Sequence, residues 1–290
     1  MSITSPARPS ALAGTWYEAN PQALARAVDG HLDRAALPDL PGEVIALVAP
    51  HAGHIYSGPV AGYAFAAARG LTPDLVAVVS PMHHPYTQPL LTTAHSAYLT
   101  PLGEIPVDAD AVSELDSRLR EKLGFGLTPV AKDPEHSLEI ELPFLQRIIS
   151  SAFRLLPVML RDQTPDTARQ MGAALAEILR GKNALLVAST DLSHFYSHAT
   201  ANVLDAAMLE QVAAFSPEGV FAVEEQGRGE ACGIGALASV LWAARALGAD
   251  SVKVLKHATS GDVTGDFTRV VGYGAAVVLK TGESASNLPK

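Results

Sequence analysis

Val44-Ile45-Ala46-Leu47-Val48-Ala49-Pro50-His51-Ala52-Gly53-His54 is an unbroken apolar run that stops at a proline and passes at once into histidines. A short apolar run with β-branched members, bounded by Pro and Gly, reads as a strand buried on both faces. The same arrangement recurs twice: Leu75–Ser80 runs into Pro81-Met82-His83-His84-Pro85-Tyr86, and Ala184–Ser189 into Thr190-Asp191-Leu192-Ser193-His194. Strands of this kind belong to parallel sheets with helices on both faces, and ligands bind in the crevice at their carboxyl ends. Three histidine-bearing loops therefore converge if the strands are parallel neighbours. One antiparallel member would break the site.

Outward from these segments, Phe153–Leu160, Ser251–His257 and Arg269–Leu279 also read as strands. Helical periodicity covers Pro21–Ala36, Val60–Arg69, Ala109–Lys122, Ser137–Ser150, Asp166–Arg180, Ala201–Ala214 and Gly233–Leu247. Thr164-Pro165-Asp166 is a cap followed by a helix-compatible proline, whereas Pro143 should kink or restart its helix. Pro89–Val107 reads as a small antiparallel excursion with a turn. The expected fold class is α/β: a single three-layer domain over residues 1–290, with a mostly parallel central sheet between helices. The ends, 1–9 and 282–290, are expected to fray.

A hydrophobic fraction of 48% with 18% charged residues is that of a globular chain. The net charge of −9, without any basic run, excludes a general nucleic-acid binder. One cysteine excludes an intrachain disulfide framework and fits a reducing compartment. Residues 1–20 show no charged region followed by an apolar stretch, and Gly233–Leu247 is too short to span a bilayer. A cytoplasmic protein with no membrane partner is expected.

Neutral imidazole is the commonest borderline metal ligand, and thiolate or carboxylate can complete such a site. His51 and His83, directly beyond strand ends, are the first candidates; His84 reads equally as an exposed neighbour. The i, i+3 spacing of Asp191 and His194 would place both on one side of a helical turn, the aspartate orienting an imidazole that acts as general acid or base. The same spacing equally suits a helix start capped by Asp191 or Ser193. Cys232 precedes Gly233-Ile234-Gly235 at a helix start whose amides would favour a thiolate, although a lone cysteine is more often a small buried hydrophobe. His136, Glu139 and Glu141 add to the pocket, or equally Glu135 to Glu141 is a helix start whose acids complement the dipole. No nucleophile elbow, phosphate-binding loop, dinucleotide fingerprint or metalloprotease helix is present.

Six ordered motifs resemble the Memo family, which includes the AmmeMemoRadiSam system protein B. They are Gly14-Thr15-Trp16-Tyr17, Ala49-Pro50-His51-Ala52-Gly53 with Tyr56-Ser57-Gly58, Ser80-Pro81-Met82-His83-His84, Glu135-His136-Ser137-Leu138-Glu139 with Leu142-Pro143-Phe144, Ser189-Thr190-Asp191-Leu192-Ser193-His194, and Ala231-Cys232-Gly233. The resemblance implies a fold like that of class III extradiol ring-cleavage dioxygenases. It also implies a pocket in which His51, His83 and Cys232 hold iron or copper, zinc being a third choice, with Asp191 and His194 as an acid–base pair. His54, Tyr56 and His136 would contact substrate. The chain departs from the mammalian pattern at His54, where tyrosine is usual, at Ser57, where cysteine occurs, and at Ile234, which replaces a more polar residue.

The resemblance further implies redox chemistry on a small molecule or peptide and functional association with a radical SAM protein. Two alternatives use the same pocket: a non-catalytic peptide or small-ligand binding module, and a hydrolase built on Asp191 and His194.

Overall fold

The computed structural model describes residues 7–282. In chain order the elements are α1 (Pro21–Asp33), β1 (Glu43–Ala49), α2 (His54–Ala66), β2 (Leu75–Pro81), β3 (Leu90–Thr93), β4 (Ala97–Thr100), β5 (Gly103–Pro106), α3 (Ala109–Leu123) and β6 (Thr128–Val130). A 3₁₀ turn (Glu139–Glu141) leads into α4 (Leu142–Ile148), followed by β7 (Arg154–Leu160), α5 (Pro165–Leu179), β8 (Ala184–Ser189) and β9 (His194–Tyr196). The chain continues through α6 (His198–Ala213), α7 (Pro217–Glu225), α8 (Ile234–Ala246), β10 (Ser251–Thr259), α9 (Gly261–Thr264) and β11 (Val270–Lys280).

The main sheet has the order β10-β11-β1-β8-β2-β7-β3-β6, with β9 paired to β11. Its centre, β1-β8-β2-β7, is parallel throughout. On its flanks β11 runs antiparallel to β1, β10 to β11, and β3 to β7. Every residue of β2 is buried, and only the first of β8 is partly exposed. This is why those runs carry no polar alternation.

The crossovers place the helices. The path β1-α2-β2 moves across the sheet in one direction and β7-α5-β8 in the other, so two right-handed crossovers put α2 and α5 on opposite faces. With α2 pack α1 and α4; with α5 pack α3 and α8, and α7 joins α8 to α6. The result is the expected three-layer α/β architecture. The parallel neighbours β1, β8 and β2 deliver the loops carrying His51, Asp191 and His83 side by side, in that order.

Several local expectations change. The second helix begins at His54, not Val60, so half of the first histidine loop is helical and Pro59 lies inside the helix. Pro143 restarts the chain as a helix of seven residues, with a 3₁₀ turn ahead of it. The Pro89–Val107 excursion splits: β3 joins the main sheet, and β4 and β5 form a separate hairpin. The segment α7 was not anticipated.

The N-terminal stretch is tied down earlier than expected. Arg8 is 2% exposed, donates its backbone N–H to Ala97 O, and its guanidinium pairs with Asp133 and Glu139. Fraying through Pro9 is thus overturned at Arg8, because a buried cation needs this fixed set of acceptors. The rest of that expectation, at 1–6 and 283–290, lies outside the described residues. Among the described residues no helix is long and apolar enough to cross a membrane.

Candidate functional site

His51 follows β1 and is buried beneath the loops after β8 and β2. Its backbone N–H donates to Asp191 Oδ1 at 2.7 Å. Its ring Nδ1 lies 2.8 Å from Ser189 Oγ, and its Nε2 lies 3.2 Å from Cys232 Sγ. Burial, followed by the neighbouring His136 and His83, holds this imidazole well below the usual histidine range, so it is neutral.

Glu135 organises the other side. Its Oε2 accepts the His83 backbone N–H at 2.6 Å, and its Oε1 lies 2.9 Å from His83 Nδ1 and 3.2 Å from His136 Nδ1. Oε1 also accepts the backbone N–H groups of His136 and Ser137. Burial works against this carboxylate, but the bonds from His83 and the Ser137 N–H outweigh it and hold its pKa far below the carboxylate range. A carboxylate against Nδ1 orients an imidazole and leaves Nε2 as the free donor, an arrangement common behind metal-bound histidines.

The three rings converge. One ring nitrogen from each of His51, His83 and His136 lies within 4.8 Å of the others, and burial decreases from His51 through His136 to His83. His136 stacks on His83 at 4.5 Å between ring centres and meets Trp16 at the same distance. Burial pushes His136 down to about 4, and His83 adds to the effect. Clustered, pre-oriented imidazoles fit a late first-row transition metal.

His136 therefore stands with the expected ligands rather than only beside a substrate. Cys232 lies outside this triad and touches its buried corner. It accepts the Asp191 N–H at 3.2 Å, and burial together with the Asp191 charge raises its thiol well above the usual value. The expected thiolate is thus corrected for the metal-free site: Cys232 precedes the α8 cap residue Gly233, and desolvation outweighs the helix amides. Its contact with His51 Nε2 has the spacing of two donors that share one ion, about 3–3.6 Å for bond lengths of ~2.1 and ~2.3 Å.

Asp191 and His194 do not form the expected pair on a helical turn. Residues 190–193 have no helical structure, His194 opens β9, and Phe195 takes a left-handed φ of 65°. The helix cap lies later, at Ser197. Asp191 faces the backbone N–H groups of His51 and Ala52, and burial raises its carboxyl to about 7 against the pull of those bonds. His194 is instead 3.6 Å from Glu230.

His54 is also displaced from its expected role. As the first residue of α2 it turns inward, packs on Phe144 and Tyr17, and places Nε2 3.0 Å from Ile140 O. Burial brings it down to about 4. Tyr56, two residues on, lines a cavity of about 450 Å³ with Trp16, Ile55, Phe195, Arg269 and Tyr273. Of the acidic residues in the Glu135–Glu141 segment, Glu139 serves Arg8, Ser10 and Tyr17, and Glu141 stands behind Ser189. Glu135, expected only as part of an acidic helix start, and Ser189 and Glu230 were not among the expected site residues. Glu135 and Ser189 do stand in the same motifs as His136 and Asp191.

The sequence comparisons with known proteins cover most of the chain. A relative from Methanopyrus kandleri, described as a MEMO1 family protein, is 35% identical over 288 residues, covering 95% of this chain and 99% of that protein. MEMO1 family proteins from Nitrosopumilus maritimus and Thermotoga neapolitana are 37% and 38% identical, covering 80% and 85% of this chain and 83% and 90% of theirs. A solved structure of an uncharacterized Escherichia coli protein is 18% identical with a TM-score of 0.47, covering 81% of this chain and 100% of that one. The family profile described as Memo-like protein matches residues 8–277, and on this match and these relatives the chain belongs to the Memo family.

Proposed function

We propose that this protein is a metal-dependent oxidoreductase acting on a small substrate, with iron or copper held by His51, His83 and His136 and with Cys232 alongside as a fourth donor. The observation that carries the reading is the histidine triad, whose rings each set Nδ1 against an oxygen of Ser189 or Glu135. An oxygen set against Nδ1 orients the ring and leaves Nε2 to face an ion. Imidazole with thiolate suits iron, copper and zinc; zinc fits the donors but brings no redox change. Bound iron or copper would supply one-electron chemistry and an open position for an oxidant.

The chain's own residues supply the rest. Asp191, with a carboxyl near 7, can accept or return a proton at neutral pH. The neighbouring cavity receives the substrate: Trp16, one of its walls, meets His136 at a tilt, and its Ala52 and Gly53 directly follow His51. Its volume is that of a small-molecule site.

Anaerobic purification followed by elemental analysis tests this reading. Wild type should carry iron or copper near one per chain, and His51→Ala/His83→Ala less than about a tenth of that. Equal metal in both, or no uptake by reduced wild type when iron or copper is supplied, overturns it. The second result would leave the cavity as a binding module.

A further inference from the structure

Ser189 Oγ has three polar neighbours: Ser137 O at 2.6 Å, Glu141 Oε1 at 2.7 Å and His51 Nδ1 at 2.8 Å. A hydroxyl carries one proton and two lone pairs. Ser137 O is a carbonyl and can only accept, so the Ser189 proton is committed to the shortest of the three contacts. The two remaining neighbours then face lone pairs, and each must bring a proton of its own.

We propose that Glu141 is a positioning residue for His51: as a neutral carboxylic acid it donates to Ser189 Oγ, and through that hydroxyl it fixes the His51 tautomer with Nδ1 protonated and Nε2 bare. The metal reading above gives this tautomer its use, but the tautomer is a property of the metal-free chain.

The opposite arrangement, in which Ser189 donates to an ionised Glu141, fails on two counts. It leaves Ser137 O and Ser189 Oγ 2.6 Å apart with no proton of their own between them. It also places an anion at 0% exposure with its Oε2 unpartnered, no cation beside it and the acidic Asp191 as its charged neighbour. An isolated buried carboxylate takes a proton rather than bear that cost. Burial, reinforced by Asp191, does drive this carboxyl well above its ordinary range. His51 is thus held from both ends by acids, its backbone by Asp191 and its ring by Glu141 through Ser189.

The test uses the whole metal-free chain, labelled with 15N and 13C. The wild-type His51 ring should show a protonated Nδ1 and a bare Nε2, and the Glu141 carboxyl carbon should keep its protonated shift to pH 8. Glu141→Gln, whose amide can still donate, should leave His51 unchanged and Co(II) affinity within about twofold. Glu141→Leu and Ser189→Ala should mix the His51 tautomers and weaken Co(II) binding by about 10–100-fold.

An ionised Glu141 shift at pH 7, or wild-type His51 shifts in folded Glu141→Leu and Ser189→Ala, overturns the proposal. If neither of those variants folds, Glu141→Gln decides: an altered His51 overturns it, and an unchanged one with a protonated wild-type Glu141 supports it. Failure of the wild type to bind Co(II), with the tautomer responding as expected, would remove the metal reading and leave the positioning role standing.

Discussion

Asp191 turns a single buried carboxyl into a measurable pH response. Its pKa rises from 3.8 to about 7 on folding, so between those values the folded chain keeps a proton that the unfolded chain has lost. Stability from this group is therefore lost as pH rises through that window, by about 1.4 kcal/mol per pH unit. Asparagine keeps an oxygen for the His51 N–H and does not titrate. The stability of metal-free wild type, measured by urea unfolding relative to Asp191→Asn, should fall from pH 4 to pH 7 and level off above. A flat difference across that range would show that Asp191 is already ionised in the fold. The histidines show what was legible at this scale. His51 and His83 could be placed from sequence because each directly follows a buried strand. His54 could not, because helix α2 starts at that residue and rotates its ring into the core. His136 follows no strand, and its position depends on a carboxylate one residue before it.

Strands with continuous apolar runs were recognisable, and so was the edge strand β10, but the short strands β6 and β9 and the 3₁₀ turn were not, because their order depends on partners distant in sequence. The N-terminal strap at residues 8–17 is the clearest instance. Nothing in its own composition marks it as fixed, yet Glu139 accepts from Arg8, Ser10, Tyr17 and the backbone N–H groups of Ala11 and Leu12. This one side chain holds the strap that lays Trp16 against His136. Glu139→Ala would leave a buried guanidinium short of a partner and three other donors without an acceptor, the Ser10 and Tyr17 hydroxyls keeping one bond between them, a loss of about 3–5 kcal/mol. In a Trp242→Phe background, where Trp16 is the remaining tryptophan, its emission should shift to the red and amides 10–17 should exchange faster. Unchanged emission and exchange would mean that the strap is held by other contacts. At the opposite side of the site, α8 approaches β8 closely enough that a Cβ on Gly233 would stand 2.5 Å from Ser189 O. The entry to α8, with Cys232 directly before its cap residue, is thus seated on the strand that carries Ser189, which ties the cysteine's position to that of His51.

The donors of the proposed centre come from four places along the chain: the ends of β1 and β2, the loop before α4, and the entry to α8. They span residues 51 to 232, and only the assembled three-layer sheet brings them together. An unfolded chain would have to close long loops to gather them, so the ion should bind the folded state almost exclusively. Binding must then stabilise the whole molecule rather than one loop. At a free-ion concentration about 100-fold above Kd the gain is about 2.7 kcal/mol. With an unfolding entropy of about 2.1 cal/mol/K per residue, a 290-residue chain should melt ~4 °C higher. Calorimetry with Co(II) under anaerobic conditions should show this as a shift of one cooperative transition. His51→Ala/His83→Ala should shift by less than about 1 °C at the same Co(II) concentration. An equal shift in the double variant would place the stabilising ion elsewhere, and a wild-type shift confined to a minor, separate transition would mean that the four donor segments do not unfold together.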